Sequence, residues 1–217
     1  MKAYLQKLCA EAESPLIAQH LIREYLQARM LQSLQSAGAM QTLAFHGGTA
    51  LRFLYDIPRY SEDLDCALES APDAYNFRAY LQRIARDLSA EAYDLDFKIN
   101  DKRVVHKAFV RFRGLLHELG LSPHASEVLA VKLEVDTNPP PGARLATTSL
   151  KRHVALNLHH HDQASLFAGK LHAVLYRFIA HSHLDLNALY YYFAVQLNVL
   201  SITTDGNPMR LPHNDRK

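Results

Sequence analysis

The stretch from Leu43 to Leu68 constrains this chain most, because it joins a strand to a helix through two glycines and then returns as a strand bearing two acids. Leu43-Ala44-Phe45-His46 reads as a short apolar strand, Gly47-Gly48 as a turn, and Thr49-Ala50-Leu51-Arg52-Phe53-Leu54-Tyr55 as the start of a helix capped by Thr49. Adjacent glycines let the backbone approach an anion closely, with turn amides and the positive end of the helix facing it. Asp63-Leu64-Asp65-Cys66-Ala67-Leu68 reads as a strand, so both carboxylates leave the same face with Cα atoms roughly 7 Å apart. Such a pair repels itself unless a cation lies between the two. The spacing suits side chains converging on one or two Mg²⁺ ions about 3.5–4 Å apart. The alternative is a solvated edge strand that happens to carry two acids, and the glycine turn upstream weighs against it.

Around this unit the chain alternates between helical and extended periods. Leu16, Ile17, His20, Leu21, Tyr25, Ala28, Leu31 and Leu34 recur at helical spacing over residues 15–37, with Pro15 at the start and Gly38 at the end. A second stripe, Phe77, Tyr80, Leu81, Ile84 and Leu88, predicts a helix over 73–90. Residues 94–100 and 104–112 alternate as the two arms of a hairpin. Val128 to Asp136 alternates Val131, Leu133 and Val135 against Lys132, Glu134 and Asp136, giving one apolar face and one acid-bearing face. After the Pro139-Pro140-Pro141-Gly142 break, Val154 to Leu158 reads as extended, and His159-His160-His161 as a loop before a helix N-cap at Asp162. Helices are expected from Gln163 onward and over Leu184 to Leu200, where Tyr190-Tyr191-Tyr192-Phe193 reads as core. The simplest partition is an α/β core with its N-terminal helix over 1–160, a C-terminal helical region over 161–200 and a loose tail over 201–217, with a cleft between core and helices.

Phe45-His46-Gly47-Gly48-Thr49-Ala50-Leu51-Arg52 followed by Arg59-Tyr60-Ser61-Glu62-Asp63-Leu64-Asp65 resembles the signature of the AbiEii/AbiGii nucleotidyltransferase toxins, within the polymerase-β-like superfamily. Leu166 to Arg177 is similar to that family's downstream helix, with Lys170 and then Arg177 seven residues on. Asp185 falls where the family carries the second Asp of an Arg-Asp-x-x-Asp motif, although His181-Ser182 stands in place of the Arg-Asp. The resemblance implies an α+β fold: a polymerase-β-like nucleotidyltransferase core with a mixed β-sheet flanked by helices, plus a C-terminal helical region. It also implies an enzyme that moves a nucleoside monophosphate from an NTP to an acceptor hydroxyl, with a tRNA 3′ end or another RNA among the acceptors. As the toxin of a toxin–antitoxin or abortive-infection system, it implies a separately encoded antitoxin. A catalytically degenerate nucleotide-binding or regulatory module is one alternative, and a transferase acting on a small molecule or protein hydroxyl is another.

On this reading Gly47, Gly48 and Thr49 hold phosphates, with Arg52 and Asp185 as further nucleotide contacts. Asp63, Asp65 and Glu134 hold the metals and act in catalysis. Lys-Leu-Glu-Val-Asp resembles the family's third acidic strand and points to Glu134, while Asp136 shares its face and remains a competitor. Lys170 supplies positive charge to the triphosphate and shares a helix face with Arg177, about 10 Å away along the axis. Arg52 and Arg59 each fit either a phosphate contact or an ordinary salt bridge, His46 lines the site or packs at a strand end, and Glu62 points to the opposite face.

Composition sets the bounds. A hydrophobic share of 48% over 217 residues supports a proper core, and a net charge of +2 places no demand for nucleic-acid binding on overall charge. No apolar run approaches the roughly 18 residues of a membrane span, and Cys9 and Cys66 read as reduced thiols, so a cytoplasmic protein is expected. Cys66 follows Asp65 on the opposite strand face and reads as a buried structural thiol.

Overall fold

The structure, a computed structural model, describes residues 2–180. Its elements in chain order are α1 (Lys2–Glu11), α2 (Pro15–Ser36), β1 (Leu43–His46), α3 (Gly47–Tyr55), β2 (Asp63–Leu68), α4 (Phe77–Ser89), β3 (Leu95–Asn100), β4 (Val105–Arg113), α5 (Leu115–Glu118), β5 (Val128–Asp136), β6 (Leu145–Arg152), β7 (Val154–His161) and α6 (Gln163–Ala180). The strands form one seven-stranded sheet in the order β3-β4-β5-β2-β1-β7-β6. The β2–β5 and β1–β7 pairs are parallel and the remaining neighbours antiparallel, so the sheet is mixed and the fold is α+β.

Strand alternation separates the two faces of this sheet. Leu64, Cys66, Ala108, Val110, Phe112, Val131, Leu133 and Val135 are buried in one core with Leu26, Leu31 and Leu34 of α2 and Tyr80, Ile84 and Leu88 of α4. The polar residues between them occupy the other face. The anticipated cap at Asp162 is present, its Oδ1 accepting from Ser165 N at 2.8 Å, and Ser14 caps α2, its Oγ accepting from Ile17 N at 3.3 Å. Gly38, at φ +77°, ends the run after α2. Helix α4 starts at Phe77 rather than residue 73, because Pro72–Ala74 forms a separate 3-10 turn and Asn76 caps the helix through Ala79 N.

Three local expectations are corrected. The histidine run is strand, not loop: β7 continues to His161, paired residue for residue with β6, which itself had not been anticipated. His160 is buried, within 2.9 Å of Thr148 Oγ1 and 2.7 Å of the His161 carbonyl, and His159 Nδ1 lies 3.2 Å from the Leu43 carbonyl. Leu16, assigned to the apolar stripe of α2, is 62% exposed. Thr49 is not the cap of α3; it lies in the first turn, buried, and its hydroxyl donates to the Asp63 carbonyl.

A buried carboxylate fixes the loop that leads into β2. Glu24 of α2 accepts from Arg52 of α3 and from Arg152 at 3.0 Å, with His153 Nε2 at 3.2 Å. Arg52 also donates to the Ile57 carbonyl at 2.7 Å and lies 4.0 Å from the centre of the Tyr60 ring, which stacks on His20. Gln27 donates to the Ser61 carbonyl at 3.0 Å. Helix α2 thus holds residues 57–61 in place just ahead of the acid-bearing strand. Burial alone would raise the Glu24 pKa, but hydrogen bonds from His153, Arg152 and Arg52 outweigh it and hold the group down to about 2. Because this lies below the ordinary 4.5, the stabilisation is fully present above about pH 4.5 and is lost as pH falls toward 2; the shift corresponds to about 3 kcal/mol. Glu24→Gln is therefore expected to lose about 3 kcal/mol at pH 7 in urea melts, with the gap to wild type narrowing steadily below about pH 4. A gap independent of pH would contradict this assignment.

Among the described residues, no helix is long and apolar enough to cross a membrane. The expected helix over 184–200, Asp185, His181-Ser182, the aromatic cluster at 190–193 and the tail over 201–217 lie outside the described residues, as does the Arg177 side chain.

Candidate metal and nucleotide site

The sheet register brings the acids together. Parallel pairing sets Asp63 opposite Lys132 and Asp65 opposite Glu134, while antiparallel pairing sets His46 opposite Asp65 and Lys107 opposite Glu134. One row across the polar face therefore reads His46, Asp65, Glu134, Lys107. One carboxylate oxygen from each of Asp63, Asp65 and Glu134 lies within 4.8 Å of the other two, close enough for the three to share a divalent cation. Asp136 is one step further along, opposite Ala67, and its Oδ1 accepts from Asn138 N at 3.0 Å. Of the two acids on this face of β5, Glu134 is the one that the register sets beside Asp65.

The glycine turn stands directly over this cluster. Gly47 has φ +79°, and a Cβ placed on it would lie 2.2 Å from Asp65 Oδ2 and 2.9 Å from Asp65 Cβ and Cγ. Only a residue without a side chain fits between β1 and Asp65 while turning left-handed. A Cβ on Gly48 would instead meet Ser61 Oγ at 2.8 Å. Helix α3 starts at Gly47, beside Asp65, and no acidic residue in its own first turn offsets the positive charge of that end.

The electrostatics of the cluster match a cation site. Burial, then the neighbouring charges of Asp63 and Glu134, push the Asp65 pKa up to about 6, partly offset by Lys132 and Lys170. Burial would likewise raise Glu134, but hydrogen bonds from Lys107 and Lys132 lower it. Three hard oxygen donors with excess negative charge are the ligand chemistry that Mg²⁺ takes. His46 is pushed down to about 4 by burial and by His161, whose ring stacks on it with centroids 5.1 Å apart, so it is neutral at pH 7. His161 also lies 2.7 Å from Glu69 Oε1. Burial pushes the Cys66 thiol well up, consistent with an inert core thiol.

Most of the residues singled out from sequence are brought to this end of the sheet. Lys170 lies on α6, which packs on α3 and β7, and its charge reaches Asp65. Arg52 is the exception: its side chain is only 11% exposed and is committed to Glu24, the Ile57 carbonyl and Tyr60, so it organises the loop instead of facing phosphate. Arg59 is exposed, and Glu62 points away toward Arg23, 3.5 Å distant. Two residues had not been singled out from sequence. Lys132 Nζ lies 2.8 Å from Asp63 and 2.9 Å from Glu134, and Lys107 Nζ lies 2.6 Å from Glu134. The signal for Lys132 was available, since it shares strand parity with Glu134.

A family profile described as "Nucleotidyl transferase AbiEii toxin, Type IV TA system" matches residues 29–188. Among solved structures, the chain is similar to JHP933 from Helicobacter pylori at 23% identity and TM-score 0.46, over 70% of this chain and 56% of that one. It therefore spans little more than half the length of that protein. A candidate nucleotidyltransferase from H. pylori is similar at 19% identity and TM-score 0.47, over 83% of both chains. No curated protein matches the sequence. With the profile covering the glycine turn, all three acids and Lys170, this chain belongs to the AbiEii nucleotidyl transferase toxin family of type IV toxin–antitoxin systems.

Proposed function

We propose that this chain is a Mg²⁺-dependent nucleotidyltransferase that transfers a nucleoside monophosphate from an NTP to an acceptor hydroxyl, acting in the cytoplasm as a toxin restrained by a separately encoded antitoxin. The observation that carries the reading is the convergence of Asp63, Asp65 and Glu134 within 4.8 Å beneath the Gly47 turn. Bound between these carboxylates, divalent ions would supply Lewis acidity to the acceptor oxygen and charge compensation to the leaving pyrophosphate. The amides of Gly47, Gly48 and Thr49 receive phosphate oxygens at the start of α3, while the Thr49 hydroxyl, bonded to the Asp63 carbonyl, ties that turn to β2. The acceptor oxygen attacks the α-phosphorus, the bond to the β-phosphate breaks, and pyrophosphate leaves. Glu134, held ionised by its two lysines, accepts the acceptor's proton or passes it to water. Lys170 meets the negative charge that accumulates on the leaving group. A tRNA 3′ end or another RNA is the acceptor class we favour. We place the core at 1–160 and the C-terminal helical region at 161–200, a boundary one residue before the end of β7 at His161 and just ahead of α6.

Incubating the protein with each α-³²P-NTP, Mg²⁺ and either cell RNA or RNA-free lysate tests the activity and the acceptor together. Label in RNA supports the full reading. Label only in protein or small molecules keeps the transferase and replaces the acceptor, and no label anywhere contradicts the enzyme. Lys170→Ala is expected to lower kcat/KM for NTP by about 10–100-fold with an unchanged melting temperature. A mainly thermal effect would make the residue structural.

A further inference from the structure

Lys132 occupies the position that a divalent ion would contest. It leaves β5 two residues before Glu134 on the same face, and the register sets it beside Asp63. Its ammonium lies 2.8 Å from Asp63 Oδ2 and 2.9 Å from Glu134 Oε2, while the other Glu134 oxygen is held by Lys107 at 2.6 Å. Two of the three acids are thus drawn together by one positive charge between them. Lys132 and Lys107 pair directly with Asp63 and Glu134, while Asp65 is reached by the charges of Lys132 and Lys170. A lone divalent ion entering among these oxygens competes with ion pairs already made, which offsets part of the attraction it would gain.

A metal-bound nucleoside triphosphate meets a different balance. It offers a displaced ammonium a new anionic partner within side-chain reach of the acids, so metal entry and lysine departure no longer leave a charge uncompensated. We infer that Lys132 is a resident counter-cation of the acid cluster: it keeps Asp63 and Glu134 together without metal, excludes divalent ions that arrive alone, and yields to a metal–nucleotide complex by moving onto its phosphates. The consequence is that metal and nucleotide bind together, each strengthening the other. This inference rests on the metal-site reading above.

The test is Mn²⁺ binding followed by the electron paramagnetic resonance of the free ion, with and without a non-hydrolysable NTP and with a nucleotide-only blank subtracted. Wild type is expected to bind Mn²⁺ at least about tenfold tighter with nucleotide than without. Lys132→Met is expected to bind Mn²⁺ alone at least about tenfold tighter than wild type, the factor that about 1.4 kcal/mol of relieved competition produces, and to gain little from nucleotide. Its metal-free melting temperature should fall below wild type and recover with Mn²⁺. Lys132→Arg, which keeps the charge, should behave as wild type, and Lys107→Met, which frees only the outer oxygen of Glu134, should shift Mn²⁺ binding less. Folded Lys132→Met that binds Mn²⁺ no tighter than wild type overturns the inference while leaving the metal site intact. Wild type that binds no Mn²⁺ under either condition overturns the metal reading itself.

Discussion

Asp65→Asn is expected to reduce nucleotidyl transfer by roughly 10³-fold or more while leaving the metal-free protein at least as stable as wild type. The two halves of that expectation have the same origin. Asp65 lies in the row between His46 and Glu134, against the Gly47 turn, where burial and the charges of Asp63 and Glu134 disfavour its ionised form. Without a cation that charge is a burden on the fold, so a neutral group of the same shape relieves it. In the proposed role of cation ligand it resists replacement, because an amide is a poor substitute for a carboxylate on Mg²⁺. Thermal melts in EDTA and transfer assays in Mg²⁺ check the two halves separately. A variant that loses activity because it unfolds, or that keeps full activity, contradicts the assignment.

Gly47→Ala is expected to cost about 2–4 kcal/mol and to lower transfer by at least about 10²-fold. Two effects add at this position. Alanine at φ +79° enters a region that a Cβ disfavours, and that Cβ would lie 2.2 Å from Asp65 Oδ2. Contacts at 2.9 Å with Asp65 Cβ and Cγ mean that rotating the carboxylate tip does not relieve the clash; the strand or the turn must shift. Either movement changes the spacing between the turn amides and the acids. Gly48→Ala is the natural comparison, since its nearest neighbour is the hydroxyl of Ser61, a small side chain that can turn away. Equal losses in the two variants, measured by urea melts and transfer rates, would contradict a special role for the Gly47 approach.

Local pattern carried much of this arrangement. Two-residue alternation in β2 and β5 announced which face each acid occupies, and the helical stripe of α4 is buried as its spacing indicates. Register is what a single sequence does not contain. Glu134 and Asp136 have the same parity, and only the pairing of Asp65 with Glu134 separates them. Arg52 was open between phosphate and salt bridge because its partner, Glu24, lies on a different helix, and burial of that carboxylate decides the matter. The strands β6 and β7 were missed in whole or part because their residues are polar: Thr148 and His160 satisfy each other across the ladder, a pairing that hydrophobic periodicity does not signal.

In the function proposed above, the three carboxylates and the glycine turn form one metal–nucleotide site. Its most direct test is a crystal structure of the protein with Mn²⁺ and a non-hydrolysable NTP, using anomalous scattering to locate the metal. The expected result is an anomalous peak bounded by Asp63, Asp65 and Glu134, with the triphosphate against the amides of Gly47 and Gly48. Nucleotide bound elsewhere, with no metal among these three acids, would contradict it.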